Sequence, residues 1–298
     1  MNRRPSTAAL AGLTLSVAAL TGCSSDTSAQ GYARDADTLV FGIVPDTTSS
    51  GSTYEPIARY LEKVTGKTVE IAKSSDYSAL INAAVAGKVD VATFSGFTYV
   101  VADQLGAQIS PVAGIVTVEG EGPGYYSDAI VPTDSPITSL TEFAGKNVCF
   151  VDPGSTSGYL WPSSMLLGEG IDPEDDVEPI FAGKHDAAVE KVAEGRECDA
   201  GFAESMVVDG RDDVRIVHQE FVPGMPIVVS ETLPEELRTQ IASTLGGATP
   251  DDMVEAGVAD ADSAEFRKAV LSLDAIDDSY YNPVREVCAK VGSDGCKP

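Results

Sequence analysis

The stretch TLVFGIVPDTTSSGSTYEPIARYLEKVTGKTVEIAK (residues 38–73) contains three structural signals in the order strand, helix, strand. Residues 38–44 form an apolar run rich in Val, Ile and Phe, which is typical of a buried strand. Residues 53–66 carry apolar side chains at helical spacing and stop at Gly66. Residues 67–73 alternate apolar and polar side chains, as a strand does. This order predicts a parallel strand pair covered by a helix.

The same alternation continues along the chain and then starts a second time. The predicted elements are a helix at 75–88, a strand at 89–94, a helix at 96–107 and an extended run at 109–118, then a strand at 146–151, a helix at about 157–168, a strand at 177–182, a helix at 185–195 and a strand at 198–203. Extended crossovers are predicted near 127–133 and 221–230, and several helices close the chain. We therefore expect an α/β protein of two lobes with a cleft between them, lobe 1 being residues 38–128 with 228–298 and lobe 2 residues 129–227.

The N-terminus has the pattern of an export signal. Arg3 and Arg4 precede an apolar stretch that is too short to span a bilayer, and Leu20-Thr21-Gly22-Cys23 looks like a bacterial lipobox. This pattern predicts a lipoprotein signal peptide at residues 1–22, lipid attachment at Cys23 and a polar tether at 23–37. The alternative is an ordinary secretory signal followed by a chance cysteine.

Four cysteines remain after the lipidated one: Cys149, Cys198, Cys288 and Cys296. An even number in an exported protein favours disulfides, for which three pairings are possible. Cys288 and Cys296 bracket a short loop, so their pairing is favoured, and Cys149 would then pair with Cys198. A zinc site is disfavoured because no C-x-x-C occurs and both histidines lie far from any cysteine pair.

The charge of the chain excludes one class of partner. The sequence has 46 acidic and 20 basic residues. Removal of residues 1–22 takes away two arginines and no acid, which leaves 18 basic residues against 46 acidic ones and a net charge of −28. Without a basic stripe, nucleic acid is not expected as a partner. Any bound anion must be held by local dipoles, since no long-range positive field attracts it.

The run DPGSTSG (residues 152–158) places three hydroxyl side chains, Ser155, Thr156 and Ser157, between two glycines where a strand gives way to a helix. The G-x-S-x-G nucleophile elbow fails, because threonine occupies its serine position, and the Walker and dinucleotide patterns are absent. A helix N-terminus with spare hydroxyls suits an oxyanion. The alternative is a helix cap that satisfies these donors internally. Pro162 would interrupt the helix and implies a kink.

Two further helix starts in the first unit share this chemistry. Residues 46–62 place Thr, Ser and Gly before a helix, and FSGFTYV (94–100), which contains Phe94 and Ser95, does so again. Each start follows a strand, so all three lie at carboxyl edges of the predicted sheets, where open α/β folds bind ligands. Facing lobes would then enclose a small tetrahedral anion.

Several segments resemble the phosphonate/phosphite-type periplasmic binding proteins of ABC importers. In chain order, these segments are FGIVPDTTSSGSTYEPIARYLEKVTGKTVEI, GKVDVATFSGFTYVVA, SLTEFAGKNVCFVDPGSTSGYLWPSSML and GKHDAAVEKVAEGRECDAGF. The D-P-G-S-T-S-G-Y-L-x-P run in the third segment is the most specific part of the resemblance. The resemblance covers about residues 38–230. It implies a two-lobed type II binding-protein fold that closes around a phosphorus oxyanion, with no catalytic activity and no cofactor.

The resemblance also implies a set of ligand contacts. Ser155, Thr156 and Ser157 would bind the anion from lobe 2, Tyr54 matches a ligand-contacting tyrosine, and Phe94 and Ser95 lie at a second contact position, where Phe94 replaces a frequent tyrosine. His185 matches the histidine that opens the next helix, for which a capping or structural role is the alternative. Glu204 would supply one carboxylate. Where the family has Pro-x-Asp-Pro, Met225 replaces the acid, which favours a ligand without an ammonium group.

The sequence thus predicts a monomeric, lipid-anchored, extracytoplasmic receptor that delivers phosphite, hypophosphite or a short alkylphosphonate to an ABC permease. A binding protein of the same fold for 2-aminoethylphosphonate or another small anion is the first alternative. An exported hydrolase is a second, although no nucleophile and base pair supports it. A lipoprotein sensor or adhesin is a third.

Overall fold

The computed structural model describes residues 36–292 and Cys296. The predicted signal peptide, most of the tether and the lipidation site Cys23 lie outside the described residues. The strands are β1 (Thr38–Ile43), β2 (Thr68–Lys73), β3 (Val91–Thr93), β4 (Ile109–Val116), β5 (Gly124–Pro132), β6 (Asn147–Phe150), β7 (Glu178–Phe181), β8 (Ala200–Glu204), β9 (Val214–Pro223), β10 (Pro226–Ser230) and β11 (Ser272–Ala275). The α-helices are α1 (Ser50–Thr65), α2 (Tyr77–Val85), α3 (Gly96–Gln104), α4 (Trp161–Gly168), α5 (His185–Glu194), α6 (Ser205–Val208), α7 (Glu235–Leu245), α8 (Pro250–Glu255), α9 (Ala264–Ala269) and α10 (Asn282–Val291).

The predicted β-α-β unit is present at residues 38–73. Strand β1 pairs in parallel with β2 on one side and with β3 on the other, and all of its residues are buried. Helix α1 covers it with Ile57 and Leu61, which are fully buried. The helix ends at Gly66, whose positive φ of 68° lets the chain reverse into β2. A run of buried Val, Ile and Phe fits β1, since both faces of a central parallel strand are covered.

The strands form two groups that meet at a single residue pair. One group has the order β2-β1-β3-β10-β4 with β11 beside β4, and the other has the order β5-β8-β6-β7 with β9 beside β5. Strands β4 and β5 share only the pair Val116 and Gly124. The predicted parallel pairs are β2-β1-β3 at the outer end of one group and β8-β6-β7 at the outer end of the other. Towards the middle of the sheet, β10 pairs antiparallel with β3 and β4, β11 with β4, and β5 with β8 and β9. The sheet is therefore mixed.

The chain passes between the two groups twice, once at residues 117–123, before the crossover predicted near 127–133, and once inside the crossover predicted near 221–230. One passage joins β4 to β5, and the other joins β9 to β10 through Gly224 and Met225. Met225 has a φ of 45°, the only positive φ of a non-glycine residue in the described part of the chain. The proposed lobe boundaries at 128/129 and 227/228 fall inside β5 and β10, and they stay predictions.

The disulfide pairing favoured from the sequence is confirmed. Cys149 of β6 is bonded to Cys198, which precedes β8, and Cys288 of α10 is bonded to Cys296. The first bond joins two neighbouring parallel strands and lies fully buried among apolar side chains. Within residues 36–292, no helix is both long enough and apolar enough to cross a bilayer.

Candidate functional site

A cavity of ≈ 230 Å³ opens at the carboxyl ends of β1, β3 and β8, between the two strand groups. Its walls come from the loop after β1, the first turns of α1, the loop after β3, and residues of β5, β8, α9 and the β9–β10 connection. The lining residues are Val44, Asp46, Thr47, Ser49, Ser50, Thr53, Tyr54, Tyr77, Thr93, Phe94, Ser95, Tyr125, Glu204, Met206, Met225, Glu265, Lys268 and Ala269. The carboxyl edge of an open α/β sheet is the usual place for a ligand.

The N-terminus of α1 lies in the wall of this cavity and has no side-chain cap. Ser49 occupies the cap position, but no hydrogen bond runs from its hydroxyl to the first backbone N–H groups of the helix. The hydroxyl of Thr47 instead lies 3.2 Å from that of Ser49 and 3.0 Å from that of Ser50. The positive end of a 16-residue helix therefore faces the cavity without a built-in acceptor.

The other two hydroxyl-rich helix starts are capped. Ser95 accepts a hydrogen bond from the N–H of Thr98 at 3.1 Å, and Ser155 accepts one from the N–H of Gly158 at 3.0 Å. For these starts, the structure shows the internal capping that the sequence left open as an alternative. The difference from α1 is not visible in composition, since all three starts are rich in Ser and Thr.

Asp46 lies at the floor of the cavity and has both carboxylate oxygens bonded. Tyr77 donates to Oδ2 at 2.8 Å and Ser50 donates to Oδ1 at 3.2 Å. Burial raises the pKa of Asp46, while the hydrogen bonds from Tyr77 and Ser50 oppose that increase. The two hydroxyl donors thus favour the ionised carboxylate at this position.

Glu204 is the last residue of β8, and its carboxyl group faces the same cavity. The residue is only 5% exposed. Within the described part of the chain, its side chain has no hydrogen-bond partner; only its backbone N–H is bonded, to Nδ1 of His185 at 3.0 Å. Burial raises the pKa of Glu204 well above its usual value, and the negative charges of Asp46 and Asp186 add to the effect.

Tyr54 lies on the second turn of α1 with its ring buried and its hydroxyl group at the cavity. None of the described residues forms a hydrogen bond with this hydroxyl. Burial raises the pKa of Tyr54 well above its usual value, with contributions from Asp46 and Glu204, so the phenol stays protonated and is a donor. The hydroxyl of Thr93, buried in the same wall, also has no partner in the described structure.

The three hydroxyls of residues 155–157 lie behind the cavity wall and contact protein groups. Besides its bond to Gly158, Ser155 lies 3.5 Å from Nε2 of His185. Thr156 accepts a hydrogen bond from the N–H of Phe97 at 2.8 Å, and Ser157 donates to the hydroxyl of Tyr125 at 3.3 Å. All three are buried and none lines the cavity in this conformation. Their contact with a ligand stays a prediction.

A π-helical turn, Thr156–Leu160, precedes α4, and the kink expected at Pro162 stays a prediction. Pro162 has no N–H, and it lies in the first turn of α4, where no such donor is needed. The carbonyl of Gly158, four residues earlier, accepts instead from the N–H of Val151 at the end of the preceding strand, at 3.0 Å. Because Pro162 cannot donate to the carbonyl of Gly158, this carbonyl can accept from the N–H of Val151, and that hydrogen bond joins the π-helical turn to the end of β6.

His185 is a buried connector between the two sides of the site. Its Nδ1 accepts from the N–H of Glu204, so its proton lies on Nε2, which is directed at Ser155. Burial lowers the pKa of His185 from 6.5 to about 4, which keeps the ring neutral. Its backbone N–H donates to the carbonyl of Asp46 at 3.0 Å. In this structure the histidine has the structural role left open by the sequence, and it does not line the cavity.

Direct hydrogen bonds join the two strand groups at the mouth of the site. Both the backbone N–H and the hydroxyl of Thr48 donate to Asp186, at 2.7 and 3.2 Å. Ser95 donates to the carbonyl of Gly154 at 3.1 Å. These bonds, together with that between Phe97 and Thr156, hold the loops around the cavity against each other.

Of the predicted site residues, the structure therefore places four in the cavity wall and four behind it. Tyr54, Phe94, Ser95 and Glu204 line the cavity; Ser155, Thr156, Ser157 and His185 support it. Sequence reasoning missed Asp46, Tyr77 and Tyr125. Asp46 had a signal, since it follows the first strand directly, but the two tyrosines reach the site only through tertiary packing. No group of three or more His, Cys, Asp or Glu side chains in the described chain is arranged to hold a metal.

The fold and the cavity define a two-lobed substrate-binding protein. The chain belongs to the family described as "ABC transporter, phosphonate, periplasmic substrate-binding protein", whose model matches residues 41–273. It is 33% identical over 293 residues to the "Phosphate-import protein PhnD" of Mycolicibacterium smegmatis, covering 91% of this chain and 90% of that protein.

Two solved structures share the fold. A binding protein component of an ABC phosphonate transporter from Pseudomonas aeruginosa has a TM-score of 0.71 at 22% identity, covering 87% of each chain. PhnD1 from Prochlorococcus marinus (MIT 9301), in complex with methylphosphonate, has a TM-score of 0.73 at 16% identity, covering 86% of this chain and 98% of that one. The predicted fold class and family are confirmed. The chain is a binding component of a phosphonate-type ABC transporter that acts outside the cytoplasm, with a small ligand and a permease as partners, and it is not an enzyme.

Proposed function

We propose that the protein captures a small phosphorus oxyanion, namely phosphite, hypophosphite or a short alkylphosphonate, and delivers it to the permease while anchored to the membrane through Cys23. The observation that carries the proposal is the uncapped N-terminus of α1 in the cavity wall. Its first backbone N–H groups and the unpartnered hydroxyl of Tyr54 supply donors for an oxyanion. Neutral donors of this kind suit a chain that has no excess of positive charge.

The apolar part of the cavity limits the ligand. Phe94 and Met225 both line it, and Met225 stands where an acidic residue would hold an ammonium group. A hydrogen atom, a methyl group or a short alkyl group on phosphorus would contact these two apolar side chains and would leave no buried polar group without a hydrogen-bond partner. Phosphate belongs in the test panel as well, because the Mycolicibacterium smegmatis relative bears the name of a phosphate-import protein.

Closure of the two lobes about the crossovers would complete the site. The bonds of Thr48 to Asp186 and of Ser95 to Gly154 join the two sides in the present conformation. A ligand that contacts both sides stabilises this closed form over an open one. We include Ser155, Thr156 and Ser157 among the contacts, with the ligand replacing some of their present protein partners. Unchanged affinity in a triple alanine variant would remove them from the site.

One observation favours a second candidate. Two carboxyl groups, of the partly exposed Asp46 and the buried Glu204, line the cavity, and such a pair suits the ammonium group of 2-aminoethylphosphonate. Calorimetric titration with phosphite, hypophosphite, methylphosphonate, phosphate, 2-aminoethylphosphonate and sulfate separates the two. We expect binding of at least one non-aminated phosphorus oxyanion to wild-type protein. Tight binding of the aminated ligand alone would refute the first proposal and support the second.

The lipid anchor has its own test. Mass spectrometry of protein purified from membranes should show cleavage before Cys23 and an added lipid mass. Cys23→Ser, which removes the acceptor sulfur, should abolish the added lipid mass without changing the ligand affinity. An unchanged lipid mass in the variant would contradict attachment at Cys23.

A further inference from the structure

The charges around the cavity pose a problem for any oxyanion. The charged groups in its wall are Asp46, Glu204, Glu265 and Lys268. Lys268 is exposed at the rim, and its Nζ lies 3.9 Å from a carboxylate oxygen of Asp209. The lining therefore has more negative than positive groups, and an anion that enters with every carboxyl group ionised meets direct repulsion.

Protonation of one carboxyl group in the cavity reduces this repulsion. The hydrogen bonds of Asp46 and Glu204 indicate which of the two carries the proton. Asp46 accepts from two hydroxyl donors, so its carboxylate is satisfied when ionised. Glu204 has no side-chain donor in the described structure, and it is buried beside the negative charges of Asp46 and Asp186. An ionised carboxylate without a donor in such a place is unfavourable. The neutral carboxyl group of Glu204 is the more stable form.

The groups that face Glu204 from the surrounding elements do not stabilise its ionised carboxylate. Tyr54 on α1 and Tyr125 on β5 are phenols whose pKa the Glu204 charge raises further. His185 on α5 is neutral and uses its Nδ1 as an acceptor for the backbone of Glu204. Asp186, the next residue on α5, is negative and bonded to Thr48. None of these supplies a positive charge.

We propose that Glu204 is a specificity-determining residue that binds the oxyanion as a neutral carboxyl group, donating its proton to a ligand oxygen. Tyr54 and the N-terminus of α1 bind the other oxygens from the facing wall. No covalent bond forms or breaks, and the proton stays in the hydrogen bond between the carboxyl group and the ligand. The inference rests on the proposed function, since it requires that the ligand be an oxyanion. Affinity then falls as pH rises, by about tenfold per pH unit once Glu204 ionises.

Glu204→Gln tests this role, because the amide is nearly isosteric and donates a hydrogen bond at every pH. The experiment measures association constants of wild type and E204Q by calorimetry from about pH 5 to about pH 9 for hypophosphite, phosphite, methylphosphonate and phosphate. The ratio of the two constants cancels the ligand's own titration. Glu231→Gln is the matched control, since Glu231 is exposed, accepts a hydrogen bond from Ser110 at 2.6 Å and lies outside the cavity.

We expect E204Q to bind within about threefold of wild type at low pH and to exceed it progressively as pH rises, while E231Q keeps the wild-type profile. A pH-independent ratio, or loss of all oxyanion binding in folded E204Q, would overturn the inference. Proton uptake by wild type, measured in two buffers of different ionisation enthalpy, gives a readout that does not depend on a variant. Glu204 is already protonated at pH values where wild-type affinity does not change, so uptake is expected only where that affinity falls with pH. No uptake in that range above that of the ligand itself would also overturn the inference. If no oxyanion binds to either protein, the proposed function fails, which is a distinct result.

Discussion

The buried carboxyl group of Asp128 in β5 offers a direct test of how burial of an acid changes the free energy of unfolding with pH. Asp128 lies in β5 and is fully buried. Its Oδ1 accepts from Nε2 of Gln219 at 3.1 Å, and its Oδ2 has no partner in the described structure. Burial raises the pKa of Asp128 from 3.8 to about 6, opposed by Gln219 and assisted by Asp209. Replacement by asparagine keeps the shape and removes the ionisation.

The sign and size of the effect follow from linkage. The folded protein holds the Asp128 proton to a higher pH than the unfolded chain, so the free energy of unfolding falls as pH rises from about 4 to about 6. An increase of about two pKa units changes the free energy of unfolding by about 3 kcal/mol, since each pKa unit corresponds to about 1.4 kcal/mol. Asparagine does not ionise, so Asp128→Asn does not lose this part of the free energy of unfolding as pH rises. We expect the variant to match wild type within about 1 kcal/mol near pH 4 and to exceed it by about 2 to 3 kcal/mol near pH 8.

Urea unfolding followed by far-UV circular dichroism at several pH values measures the difference between the two proteins. Asp213→Asn is the control of opposite sign. Hydrogen bonds from Arg211 hold the pKa of Asp213 below its usual value, so the Asp213 carboxylate stabilises the fold at pH values above its unfolded-state pKa. Asp213→Asn should therefore be less stable than wild type at those pH values and as stable as wild type in acid. A difference between Asp128→Asn and wild type that stays constant across pH would refute the reasoning.

Three further outcomes are expected. Tyr54→Phe should lower oxyanion affinity about tenfold or more in calorimetry, because a hydrogen bond to a charged group contributes about 1.5–3 kcal/mol, and equal affinity would contradict the contact. Thr156→Val should lower the free energy of unfolding by about 1–3 kcal/mol in urea, because the N–H of Phe97 loses its acceptor, while Thr156→Ser should not. Alanine at both Cys149 and Cys198 should cost up to about 4 kcal/mol by the same assay, given their separation of 49 residues, and no loss would show that the bond is dispensable.

The α/β order could be predicted from the sequence because it rests on local patterns. The apolar run of β1, the amphipathic face of α1 and the stop at Gly66 each signal their element within a few residues. Strand β11 was missed, because its four residues SLDA carry no periodic signal and are extended only where they pair with β4. The antiparallel pairing of β10 was also not predicted, since pairing direction depends on where the crossovers return the chain.

The site was predicted less completely, because hydroxyl composition does not reveal which donors are already bonded. Ser155 and Ser95 cap their own helices, whereas the equally hydroxyl-rich start of α1 is uncapped. Tyr77 and Tyr125 lie at opposite sides of the cavity and meet it only when α2 and β5 are packed in place. No spacing along the chain encodes these contacts. Capping status and tertiary convergence are properties of the folded backbone.

The charge of the protein and the charge of its cavity act over different distances. The chain repels an approaching anion through a net charge of −26, but this repulsion is screened beyond about 10 Å at ordinary ionic strength. Within the cavity the donors that we propose are the N-terminus of α1, the phenol of Tyr54 and the carboxyl group of Glu204, each of which would act only at hydrogen-bond distance. Because these donors carry no full positive charge, they select an oxyanion by the number and direction of its oxygen atoms. A basic cluster at the same place would attract any anion, including sulfate and chloride, and would leave selection to shape alone.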